Sequence, residues 1–227
     1  DMYTGGTHYT VRINGQILVN DYDYNQLECV SRERKINQSD VDGLYSIKWK
    51  DTGNTFYAGG NSMSGTLKAL FDIRDGNNAD NFTGVVKIDN SRQITVTSPS
   101  VTSVETMTMP QQGVLTINGR EYKYDGFTFE TNDKGEVTSY TFNLDAPLSS
   151  QDIEKADGKS ASIGSAVDVM GIPYYMAQMN QFLRSFTQKF NDIMKKGEDL
   201  NGDATDYFAF FTAADKDGNE YAFGDKP

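Results

Sequence analysis

Groups able to do covalent or acid–base chemistry are scarce in this chain, carboxylates excepted. There is one histidine, His8, and one cysteine, Cys29, against 32 Asp and Glu. A histidine acting as general base needs a nucleophile and an orienting carboxylate, and no Gly-x-Ser-x-Gly elbow is present. His8, in a Gly- and Thr-rich stretch, reads as a solvated surface residue. Cys29 lies in Leu27-Glu28-Cys29-Val30 and reads as a small, half-buried hydrophobe, not a reactive thiol. Two carboxylates suffice for glycoside hydrolysis, but the fold brings such a pair together, and the spacing favours none here. Gly5-Gly6 and Gly59-Gly60 do not open helices, as phosphate loops and dinucleotide fingerprints require. The residues nominate no catalytic group and no cofactor.

Two acidic stretches have calcium-like spacing. Asp199-Leu-Asn201-Gly-Asp203-Ala-Thr-Asp206 and Asp215-Lys-Asp217-Gly218-Asn219-Glu220 place oxygen groups at alternate positions. An EF-hand loop also needs Gly sixth and Glu twelfth. From Asp199 these positions hold Ala204 and Phe210, and from Asp215 the sixth is Glu220. Polar turns that use Asn and Gly for tight backbone geometry are therefore expected at both, without a metal.

Bulk charge narrows the partners. With 21 Lys and Arg the net charge is −11. That balance argues against neutralising nucleic acid phosphates and against anionic lipid surfaces. A single cysteine closes no intrachain disulfide, so stability must come from burial. The chain is 37% hydrophobic and 12% aromatic. It is too apolar for disorder, and its apolar runs are too short to span a bilayer.

Most of the elements read as strands. Tyr9-Thr-Val-Arg-Ile13 alternates, Asn14-Gly15 supplies a type I′ turn, and Gln16-Ile-Leu-Val19 resumes the run. Gly43–Lys50 and Thr55–Tyr57, joined by Asp51–Asn54, form a second strand–turn–strand candidate. Helical spacing of Leu67, Leu70, Phe71 and Arg74 follows, with Ser64 as N-cap and Gly76 as the terminating glycine. Strands return at 84–89, 93–97, 113–117, 121–125, 127–129 and 136–144, separated by turn residues. This is the pattern of a compact antiparallel module. Residues 146–171 are polar and rich in Gly, Ser and Asp, and read as a connector.

The period then changes. Ile172, Met176, Met179, Leu183, Phe186, Phe190 and Ile193 are spaced 4, 3, 4, 3, 4 and 3 residues apart, an unbroken heptad seam. Tyr175, Phe182 and Met194 widen the stripe beyond what one facing helix covers. Pro173 suits the first turn, and Gly197 after Lys195-Lys196 suits the end. A helix of about 25 residues, some 37 Å long, is expected, with its seam packed against other helices.

Three blocks together resemble the flagellar hook-associated protein 1 family, the hook–filament junction proteins. One is the Gly15–Val19 strand. The second is the helix beginning Ser64-Gly65, with Leu67, Leu70 and Arg74. The third is the long helix followed by Gly197, Asp199, Asn201, Gly202 and Asp203, with Asp206 and the aromatics Tyr207 and Phe208. In better-known members the first helix runs almost directly into the long one, so residues 77–170 would be an insertion. The resemblance implies a non-enzymatic structural subunit, exported through the flagellar type III apparatus to the extracellular flagellum. Its partners would be the hook and adjacent hook-associated proteins and further copies of itself in a ring. The expected class is α+β. Its parts are a β region over 1–63, a short helix over 64–76, an inserted antiparallel β module over 77–150 and a connector over 151–171. The long helix, with a turn and strand region, occupies 172–227. Both ends read as cuts through a longer chain. The rival reading is an extracellular binding module, an adhesin or glycan-binding β domain, with Trp49 and exposed tyrosines as its platform.

Overall fold

The computed structural model describes residues 2–3, 9–13, 15–56, 63–206, 209–214 and 218–222. The readings that fall on Gly5-Gly6, His8, Asn14, Tyr57, Gly59-Gly60, Tyr207, Phe208 and Asp215–Asp217 lie outside the described residues. The chain mixes antiparallel strands with three helices among the described residues, in line with the expected α+β class.

Strands β1 (Met2–Tyr3), β2 (Tyr9–Ile13), β3 (Gln16–Asn20) and β4 (Asp23–Tyr24) form one sheet in sequence order. Gly15, at φ +77°, takes the left-handed conformation its turn position requires. Strand β5 (Leu27–Ser31) then pairs with β6 (Tyr45–Trp49). Here the structure corrects the expected pairing: Thr55 makes only an isolated bridge with Lys48. Burial of Trp49 explains the choice, since the strand must place that ring against Phe56, 5.9 Å away edge-on. Ile13, Leu18, Ile47, Met63 and Phe71 pack around this pair as a small core. Cys29, on β5, is exposed and not half-buried as expected.

Helix α1 (Thr66–Asp75) contributes Phe71 to that core. Its N-cap is Gly65, with no side-chain cap, so Ser64 does not play the predicted role. Gly76 ends the helix in extended backbone instead of the left-handed form. The reason is tertiary, because the extended exit lets the Gly76 carbonyl accept from the N–H groups of Gly171 and Tyr174.

Strands β7 (Phe82–Asn90), β8 (Gln93–Thr97), β9 (Gln112–Ile117), β10 (Arg120–Thr131) and β11 (Val137–Leu144) belong to a closed barrel. The two short runs expected at 121–129 are one strand, β10, kinked by an irregularity between Tyr124 and Phe127. The Asn118-Gly119 turn has both residues at positive φ, 50° and 76°, as a type I′ hairpin needs. Closure needs a sixth strand, and it comes from the stretch read as a connector. There, helix α2 (Ser150–Ala156) opens with a Ser149–Asp152 capping box, and β12 (Ser160–Ile163) pairs with both β7 and β9. The 151–171 connector and the 150 boundary are therefore corrected, and the barrel extends to Ile163. Ser-Ala-Ser-Ile carries little strand propensity, but burial of Ala161 and Ile163 against the core and removal of both sheet edges outweigh it.

The barrel interior is aromatic. Phe82 meets Tyr140 at 5.3 Å, and Tyr124 meets Phe142 at 4.8 Å, both edge-on. The loop from Ser98 to Gln111 plugs the barrel with Val101, Met107 and Met109. It also accepts the two buried phenol protons: Tyr124 donates to the Pro110 carbonyl and Tyr140 to the Val101 carbonyl.

Helix α3 (Ile172–Met194) has Pro173 in its first turn and ends at a Lys195 cap, short of Gly197. Strands β13 (Thr212–Ala214) and β14 (Glu220–Ala222) form a last hairpin.

Candidate assembly interface

Heptad spacing predicts a buried seam on α3, and the structure turns that seam outward. Ile172, Met179, Phe186 and Ile193 are 48–68% exposed, and Met176 and Leu183 are also exposed, at 38% and 41%. Phe190 is half-buried beneath Phe210 and Phe211, whose rings lie 5.2 and 5.3 Å away. Tyr175 and Phe182, which widen the stripe, are both 62% exposed. What α3 buries is Pro173, Arg184, Thr187 and Asn191, a strip about a quarter-turn round the helix at 100° per residue. The seam residues nearest this strip, Met176 and Leu183, are the least exposed of the six.

The polar strip is fully engaged. Arg184 reaches into the barrel's plug loop and donates to the carbonyls of Met107 at 2.8 Å and of Val104 and Glu105 at 3.2 Å. Its other terminal nitrogen donates to Gln38 Oε1 at 2.7 Å. Burial pushes the guanidinium below its ordinary pKa, with Glu105 opposing that shift. Thr187 bonds back to the Leu183 carbonyl. Asn191 clasps the backbone of Phe211 from both sides, accepting from its N–H and donating to its carbonyl, each at 2.9 Å. Arg184 and Asn191 seat the helix on the rest of the molecule, while Thr187 is buried with its hydroxyl satisfied within α3. Sequence reasoning missed them, although a lone arginine and an asparagine inside an apolar heptad run were the available signal.

The residues of the resemblance fall into two places. Leu67 and Leu70 lie exposed on α1, which touches α3, while Arg74 is tied to Asp75 and the Tyr45 carbonyl and lies over the Phe71 ring. Gly197, Asp199, Asn201, Gly202 and Asp203 build the turn after α3. There Asp199 Oδ1 accepts from the N–H groups of Asn201 and Asp203, at 2.8 and 2.9 Å. Those bonds, Asp203 first, hold the Asp199 carboxyl below the usual carboxylate range. The carboxylate thus serves the turn, as the polar-turn reading expects. Among the described residues no group of three or more His, Cys, Asp or Glu is placed to hold a metal ion. No described helix is long and apolar enough to cross a membrane.

An apolar stripe of this length has a definite chemistry. Between Ile172 and Gln188 the one charged side chain is the buried Arg184, so the outward surface of those turns is uncharged. The exposed seam and its flanking aromatics, Ile172, Tyr175, Met176, Met179, Phe182, Leu183 and Phe186, lie together along this uncharged stretch, and contiguous exposed apolar surface of that kind marks an interaction site. Depletion of charge at the centre is the composition of lasting interfaces. No family model, curated protein or solved structure matches this chain.

Proposed function

We propose that this chain is a non-enzymatic structural subunit of the bacterial flagellum at the hook–filament junction, assembling by helix packing on the outer face of α3. The observation that carries the reading is the orientation of α3, which buries a polar strip and turns its heptad seam outward. A seam of that kind serves a helix that is one member of a bundle completed by other helices. The arrangement of the barrel supports the same reading. The chain leaves α1 and enters α3 at one point, so the 77–170 segment hangs from a helix–helix junction as an insertion. On this reading the subunit is exported unfolded to the cell exterior, and its partners are the hook, neighbouring hook-associated proteins and further copies of itself.

The test is co-sedimentation of the chain with purified hook protein and adjacent hook-associated proteins, with Met179→Asp as the control. Saturable co-assembly that Met179→Asp abolishes is expected. Absence of any association with these proteins overturns the reading. The binding-module alternative keeps Tyr22 and Tyr24, which are 89% and 66% exposed, but loses Trp49, which is 2% exposed and part of the small core. Strong saturable signals on a glycan array would favour it.

A further inference from the structure

The molecule has two hydrophobic cores that share no residue. The larger draws its side chains from 82–163, the barrel with its plug loop and α2, and the smaller draws its own from 13–71. Between the β5–β6 hairpin, α1 and the β9, β10 and β12 side of the barrel lies a cleft of about 870 Å³. Protein interiors are close-packed, so an opening of that size marks two bodies that abut without interlocking. What joins them is polar. The connection from β5 to β6, residues 32–44, lies along the barrel as a strap. Its Glu33 pairs with Lys123 of β10, and its Arg34 with Asp145 at 2.7 Å and Gln112 Oε1 at 2.8 Å. Gln38 donates its N–H to the Thr108 carbonyl at 2.8 Å, while its side-chain oxygen accepts from Arg184. Ile36 adds an apolar contact, against the bare backbone of Gly164. Other cations of the cleft pair inside one body: Arg120 with Asp152 in the barrel, Arg74 and Arg32 with Asp75 on the far side.

The barrel's covalent attachment is a two-chain stem. Asn77 and Asn78 donate their N–H groups to the carbonyls of Val167 and Val169, at 3.3 and 3.0 Å, so the two chains are laced together on the barrel side. The stem meets the helices at Gly76 and Gly171, each at a helix end, which is where hinges fall. Arg184 stands far from that point. Counted along α3 from Gly171 it is about 20 Å away at 1.5 Å per residue. Its bonds to the plug loop therefore fasten the barrel where they best resist a swing about the neck.

We infer that the barrel is a separate body that swings on the Gly76–Gly171 neck, held against α3 and the hairpin by two polar latches. One latch is the strap, through Glu33 and Arg34. The other is the node that Arg184 and Gln38 form on the plug loop. Polar interfaces between parts of one chain allow relative motion unless a large apolar area prevents it. Exposed ion pairs hold weakly and are screened by salt, so the strap yields first and the buried node second. The swing breaks neither core, because each is complete within its own body. It parts the walls of the cleft and changes the angle between the barrel and α3. The inference does not depend on the junction reading.

Double electron–electron resonance on the whole chain tests it. One spin label goes on the native Cys29, exposed on β5, and one on Lys134→Cys in the exposed β10–β11 turn. One narrow distance is expected in about 50 mM NaCl, with a second, displaced population at least threefold larger in about 500 mM, where charges are screened within a few ångströms. Glu33→Gln/Arg34→Gln should show the displaced population already in low salt, and adding Arg184→Gln should make it dominant. Glu33→Lys should release the strap, and Glu33→Lys/Lys123→Glu should latch it again, a rescue that follows from charge and not from shape. Near-UV circular dichroism of the strap variants should keep its folded value, since both cores stay packed. One narrow distance in every salt and every variant overturns the inference and makes the chain a single rigid body. Loss of the near-UV signal in the strap variants overturns it as well, because the strap would then belong to a core.

Discussion

Gly76, at the end of α1, and Gly171, just before α3, lie back to back. Gly171 donates its N–H to the Gly76 carbonyl at 3.1 Å, and Tyr174 donates to the same oxygen at the same distance. Asn77 and Met170 bridge beside them. The barrel segment therefore starts and finishes at one spot, and the two main chains approach closer than any side chain allows. A Cβ on Gly171 would sit 2.5 Å from the Ile73 carbonyl oxygen and 2.6 Å from that of Asp72. One on Gly76 would sit 2.5 Å from the Val169 oxygen.

Gly171→Ala should accordingly cost about 1–3 kcal/mol, as overpacking against backbone does. The φ of Gly171 is −99°, which alanine adopts freely, so the loss would be steric alone. Urea unfolding gives the number, and an unchanged midpoint would show that the two chains do not meet this closely.

Arg184→Met should lose about 3 kcal/mol, because three plug-loop carbonyls and Gln38 are left without their donor. Arg184→Lys should recover part of it, since an ammonium reaches fewer of those acceptors. Equal losses in the two variants would mean the guanidinium's fork is not what holds the loop.

For the seam, a buried heptad face would make Phe186→Asp severely destabilising. The outward orientation predicts otherwise. Met179→Asp should shift monomer stability by less than about 1 kcal/mol while removing co-assembly, because the charge meets water until a partner arrives. Phe186→Asp should cost somewhat more, through its contact with Phe211. Thermal unfolding read beside sedimentation separates the two effects.

Alkaline pH should unfold the barrel. Burial raises the Tyr124 phenol pKa well above its usual value and that of Tyr140 from 10.0 to about 12. The unfolded chain then releases these protons first, so the contribution of the two phenols is constant below pH 10 and is lost as pH rises above it. Tyr140→Phe should flatten that fall at the expense of about 1 kcal/mol at neutral pH for the lost Val101 bond. Denaturant midpoints measured from pH 7 to 12 would show the slope or its absence.

Much of the architecture was legible because it is encoded locally. The Asn118-Gly119 turn, the alternating runs of β8 and β11, and the 23 residues of α3 follow from backbone preference and side-chain period. Strand β12 was hidden because its residues are small and polar, and only its place between β7 and β9 makes it a strand. Trp49 looked available for a ligand because strand alternation does not say which face is covered, and only packing against Phe56 and its neighbours buries the ring.

The sequence alone determined that α3 is a long helix with one continuous apolar stripe, since periodicity belongs to the chain. It could not determine which side of that helix faces the protein. That was decided by Arg184 and Asn191, whose hydrogen bonds to distant backbone exist only once the plug loop and the Phe211 segment are in place. Likewise Gly76 and Gly171 carry no pattern linking them, and only the closed barrel between them brings the two chains into contact. Periodicity is a property of neighbours, whereas orientation is settled by which distant groups satisfy one another's hydrogen bonds.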